Sequence, residues 1–140
     1  MFLKCRVPLN CFSSPVFPMI SGGGIIHSWV HLYKSESPSQ VAVFLISFFC
    51  TLLQSLPDHI RKSKKYYFSY DNVCNLSNMK LWRNPLPIKS FPNLWTDNLV
   101  KIIDNLHLHN HVRESCRTNF NPNILKEVLP HGNTMICEQG

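Results

Sequence analysis

Between Val41 and Leu53 the chain runs thirteen residues without a charge, VAVFLISFFCTLL, with Pro38 before it and Pro57 after it. The two prolines leave at most 18 residues between them. A bilayer-spanning helix needs about 20 mainly apolar residues, and shorter runs of this kind suit a buried helix better. Ser37 can cap such a helix with Pro38 in its first turn, where the missing amide hydrogen costs nothing. The sequence therefore predicts a helix over residues 38–56, apolar almost all round and deeply buried. The other reading is a small single-pass membrane protein, with the basic run after the segment as its cytoplasmic anchor.

The 140 residues leave room for one domain or a piece of a larger one. Ten prolines stand against a single alanine, Ala42, and only 16% of residues are charged. Long Ala/Glu/Lys helices and coiled coils are thereby excluded, and a small mixed α/β core punctuated by proline is expected. Residues 1–20 read as a poorly specified leader, with the domain over 21–140. Ile25–Tyr33, Tyr66–Tyr70 and Leu99–Asp104 carry the β-branched and aromatic content of strands. A short helix is expected near Asn75–Leu81 and another over Asn123–Val128.

The net charge is +6, a balance that suits nucleic acid or an anionic surface. Arg61, Lys62, Lys64 and Lys65 form the one basic run, which also suits a solvated loop. The six cysteines are widely and irregularly spaced, with no C-x-x-C pair. That spacing points to reduced thiols in an intracellular protein, not a secreted disulfide framework.

Two constellations carry chemistry. Asp71 and Asp104 each follow a strand candidate, and Glu138 stands near the last residue. Carboxylates gathered at strand ends are what a two-metal Mg²⁺ site needs, although solvated or capping acids give the same pattern. The second is Asp104, His107, His109, His111 and Cys116. On one helix Asp104, His107 and His111 would share a face. Imidazole and thiolate are usual zinc ligands, and Cys74 or Cys137 could complete the set. Surface or hydrogen-bonded histidines are the plain alternative.

The order of short motifs is distinctive. Glu36-Ser37-Pro38-Ser39-Gln40 precedes the apolar helix, and Tyr70-Asp71-Asn72-Val73-Cys74-Asn75-Leu76 follows the second strand. Ile103-Asp104-Asn105-Leu106-His107 then leads to His111 and Cys116, and Asn133–Gln139 contains Cys137-Glu138. Together they resemble transposases of the Kyakuja–Dileera–Zisupton group and their cysteine-cluster-associated relatives, over about residues 22–139. The resemblance implies an RNase H-like α/β core, a mixed sheet with flanking helices, that cuts and joins DNA with Asp, Asp, Glu and divalent metal. Asp71 then resembles the second catalytic aspartate, and Glu138 the acidic member. Asp104, His107, His111 and Cys116, joined by Cys74, resemble a cluster that binds zinc or stabilises the core.

The family's first catalytic aspartate has no counterpart in residues 1–20, and the helical region after Glu138 is missing. The expectation is a truncated, catalytically inactive, transposase-derived protein, nuclear or intracellular, with DNA the ancestral partner and no small-molecule substrate. A zinc-stabilised interaction module is the remaining alternative.

Overall fold

The computed structural model describes residues 2–3, 16–21, 24–63, 65–86, 88 and 92–124. It is a mixed α/β structure with two small sheets. In chain order the elements are β1 (Phe2–Leu3), β2 (Val16–Ile20), β3 (Ile26–His31), α1 (Pro38–Gln54) and α2 (Asp58–Ser63). They continue as β4 (Tyr66–Ser69), α3 (Val73–Ser77), a 3-10 turn (Lys80–Arg83), α4 (Leu94–Asp97) and β5 (Leu99–Ile102). Then come α5 (Asn105–Leu108), α6 (Glu114–Asn119) and a last 3-10 turn (Pro122–Ile124).

Strands β1, β4 and β5 form one parallel sheet with β4 in the middle. Its register pairs Phe2 with Tyr67, Tyr66 with Leu99, and Ser69 with Ile102. Parallel neighbours need a crossover, and α3, the 3-10 turn and α4 supply it between β4 and β5. Strands β2 and β3 form an antiparallel hairpin, with Phe17 opposite Val30. Its turn closes with Gly24 N–H donating to the Ser21 carbonyl at 2.9 Å. Gly24 sits at φ 82°, where a β-carbon would clash.

Within residues 1–20, read as a poorly specified leader, Phe2–Leu3 and Val16–Ile20 are strands, and residues 1 and 4–15 lie outside the described residues. Phe17 and Met19 are buried. Pro18 hides the strand from a sequence reading, because proline donates no ladder hydrogen bond. It is tolerated here because β2 is bonded to a neighbour on one edge.

Helix α1 starts where expected: the Gln40 amide donates to the Ser37 hydroxyl, and Pro38 occupies the first turn. It stops before Pro57, which disfavours helical geometry in the residue ahead of it. Val41, Leu45, Phe49 and Leu53, spaced by four, make one buried stripe. All-round burial is overturned, since Val43 on the outer side is 68% exposed. Phe49 meets the Tyr66 ring edge-on at 5.3 Å, and Phe44 meets Phe17 at 5.9 Å. The helix thus lies across β4 and the hairpin together. No helix among the described residues is long and apolar enough to cross a membrane.

Further along, Trp82 and Trp95 stack with ring centres 4.1 Å apart. The Trp82 indole N–H donates to the Leu76 carbonyl at 2.7 Å, which pins the crossover to α3. The single helix expected near Asn75–Leu81 is split, with α3 ending at Ser77 and a 3-10 turn beginning at Lys80. Of the helix expected over Asn123–Val128, residues 125–128 lie outside the described residues.

Candidate metal centre

Asp71 and Asp104 follow β4 and β5 by the same two residues. Ser69 and Ile102 are register partners, and the Tyr70 amide continues the ladder by donating to the Ile102 carbonyl at 3.1 Å. Both acids therefore leave the same end of the sheet from adjacent strands. Their surroundings differ. Asp71 is half-buried and accepts the Asn72 amide at 2.7 Å, which turns the chain into α3. Asp104 is 0% exposed, with its carboxylate 3.5 Å from His107 Nδ1.

An open polar cleft lies at this edge, lined by Glu36, Asp71, Asn72, His107, Asn110 and His111. Glu36 arrives from the link between β3 and α1. That link contains Lys34 at φ 59°, a strained value for a residue with a side chain. Gln40 stabilises it: its side-chain amide donates to the carbonyls of Tyr33 and Ser35 at 3.2 and 3.1 Å. Burial pushes the Tyr70 phenol well above its ordinary pKa, and the nearby charges of Glu36 and Asp71 push it the same way. The sequence reading missed Glu36 as a site residue. Its signal was the Glu36-Ser37-Pro38-Ser39-Gln40 string, which the sequence reading used as a motif of the family resemblance and a prelude to the helix without giving Glu36 a role.

Beside the cleft, α3, the segment after α5 and α6 bring three ligand atoms together. The sulfurs of Cys74 and Cys116 and an imidazole nitrogen of His111 all lie within 4.8 Å of one another. Cys74 Sγ is 3.7 Å from His111 Nδ1. The two sulfurs form a disulfide with Cα atoms 5.8 Å apart. This corrects the expectation that all cysteines are reduced. Forty-two residues separate the pair, so their spacing carried no sign of it. Arg113 donates to the Asn75 side chain at 3.2 Å, and Arg117 donates to the His111 carbonyl at 2.7 Å. These bonds hold the His111 segment against α3.

Three of the five expected metal ligands thus meet: Cys74, His111 and Cys116. Asp104 and His107 contact each other instead. The difference is a break in the helix, since α5 ends at Leu108 and α6 starts at Glu114. His111 therefore leaves the helical face on which it would have followed Asp104 and His107. Two sulfurs and an imidazole can hold a metal ion when the sulfurs are thiolates. They are a poor match for Mg²⁺, which takes oxygen ligands. Glu138 and Cys137 lie outside the described residues. No family model, no curated protein and no solved structure matches this chain.

Proposed function

We propose that this chain is a transposase-derived domain with an RNase H-like core that binds DNA without cutting it. In the same reading, reduced Cys74, His111 and Cys116 hold a zinc ion. The observation that carries it is the matched placement of Asp71 and Asp104 beyond neighbouring parallel strands. Support also comes from the element order, an antiparallel hairpin followed by a helix and two parallel strands. The reading takes the hairpin and the parallel strands, two separate small sheets here, as parts of one mixed RNase H-like sheet with flanking helices.

Binding without cleavage follows from the carboxylates. A two-metal site needs several oxygen ligands around each ion. Among the described residues, Asp71 and Glu36 are the acids that line the cleft, while Asp104 is fully buried against His107. Zinc suits the donor set, because sulfur and imidazole are its common ligands in structural sites. There the ion would tie α3, the element after Asp71, to α6 and the His111 segment. The positive charge of the chain would supply sequence-independent attraction to phosphates.

The test is fluorescence anisotropy of a labelled DNA duplex with the reduced, zinc-loaded chain over a salt series. The expected result is saturable binding whose log affinity falls linearly with log salt, about 0.9 per phosphate contacted. In Mg²⁺ or Mn²⁺ the duplex should stay intact. Absence of binding at low salt overturns the DNA reading, and nicking of the duplex overturns the loss of cleavage. Zinc uptake without any DNA affinity would favour the zinc-stabilised interaction module, the reading that the Cys–His–Cys cluster supports independently.

A further inference from the structure

We infer that Cys74, Cys116 and His111 form a redox-controlled metal site, in which a disulfide and a bound zinc ion are alternative states of one cluster. The inference rests on the zinc part of the proposed function and adds its regulation. The same two sulfurs are bonded to each other and stand within 4.8 Å of the His111 nitrogen. A disulfide sulfur is a poor ligand and a thiolate a good one, so the two states exclude each other. Both fasten α3 to α6. The metal state alone adds a coordinate bond to His111, which lines the cleft beside Asp71 and in the disulfide state keeps its 3.7 Å contact with Cys74 Sγ. Oxidation therefore frees the imidazole from the metal, leaving it beside the Cys74 sulfur at the cleft, while the two helices stay joined.

The cluster's exposure selects the oxidant. Cys74 and Cys116 are 4% and 3% exposed, while His111 opens to the cleft. A small peroxide fits this access better than a bulky disulfide. The zinc ion with its two bound thiolates, one hydrogen peroxide and two protons give the disulfide, two waters and the freed zinc ion. The sulfurs lose two electrons as the S–S bond forms, and the O–O bond breaks as oxygen accepts them. A dithiol such as dithiothreitol reverses the change by exchange. Cys50, half-buried in α1, is a bystander within the same chain. Burial raises its pKa and lowers its thiolate fraction, so it should react more slowly.

The test uses the full chain, reduced, loaded with Zn²⁺ and freed of excess ion, then treated with stoichiometric hydrogen peroxide. A chromophoric chelator follows released zinc, and peptide mass mapping assigns the thiols. The expected result is one zinc released per Cys74–Cys116 disulfide formed, with full reloading after dithiothreitol. His111→Ala should lose zinc affinity by at least about the 10–100-fold that supporting residues of metal sites cost. It should still form the disulfide. Zinc retained under peroxide, or released while Cys74 and Cys116 stay reduced, overturns the switch and leaves the zinc reading standing. If reduced wild type takes up no more zinc than Cys74→Ser/Cys116→Ser, the zinc reading fails and the switch falls with it.

Discussion

Asp71 and Asp104 occupy equivalent positions on adjacent parallel strands, yet one opens to a cleft and the other is sealed beneath it. Removing the sealed carboxylate leaves the buried Nδ1 of His107, whose ring otherwise reaches the cleft, without its acidic neighbour. Asp104→Ala should cost about 1–3 kcal/mol, the usual range for a buried polar group left unsatisfied. Asp71→Ala should stay within about 1 kcal/mol, because the side chain is half-buried and bonds only its neighbouring amide among the bonds described. Urea unfolding of the two variants checks the contrast. Equal midpoints would contradict the different burial of the two acids.

Metal binding to the reduced chain should appear as stability. A ligand that binds only the folded state at 100 times its dissociation constant adds about 2.7 kcal/mol. The reduced chain should therefore melt several degrees higher in micromolar zinc, and a chelator should reverse the gain. Cys116→Ser should abolish the response. A melting temperature indifferent to zinc would argue against the Cys74–His111–Cys116 site.

Alkaline pH should unfold the protein through its buried phenols. Burial raises the pKa of both Tyr70 and Tyr66. Below about pH 10 each is neutral in the folded and unfolded chain and makes no pH-dependent difference. Above it the unfolded chain ionises and binds fewer protons than the folded one, so stability falls as pH rises. Tyr70→Phe keeps the ring against Phe17 and Phe68 and removes one of these groups. Its stability should decline less steeply between pH 10 and 11, as read by circular dichroism in a urea series. An unchanged slope would count against burial of the hydroxyl.

Helix α1 should show two faces under mutation. Phe49→Ala removes a fully buried ring that meets Tyr66, and should cost about 3–5 kcal/mol. Val43→Gln on the exposed side should change stability by no more than about 0.5 kcal/mol. Ser37→Ala should cost about 1 kcal/mol by removing the cap of Gln40. Thermal melts of the three variants test the order, and a severe loss in Val43→Gln would mean that the outer face is covered in solution.

Strands rich in β-branched and aromatic residues were legible: the reading over 25–33, 66–70 and 99–104 agrees with β3, β4 and β5. So was the helix between Pro38 and Pro57, because its cap and its stop are local chemistry. The hairpin's first strand was hidden by Pro18. The one-sidedness of α1 was hidden too, since its sequence is apolar on faces that the fold leaves outside. At the cleft, Asp71 and Asp104 were legible as acids after strands, but burial decides what each can do. The meeting of Cys74, His111 and Cys116 depends on the turn between α5 and α6, and no spacing along the chain encodes it.

The pairing of Phe2 with Tyr67 has a consequence for synthesis on the ribosome. Among the described residues the first strand pairs only with the middle strand, which must emerge first, and that middle strand gains its other neighbour only when Ile102 follows. Long-range parallel pairing of this kind forms slowly, because the closure entropy is lost before the contacts form. During that interval the apolar stripe of α1 lacks the strand it later covers. The nascent chain should therefore be a client for chaperones that shield apolar helices, and most exposed to aggregation just before β4 is complete.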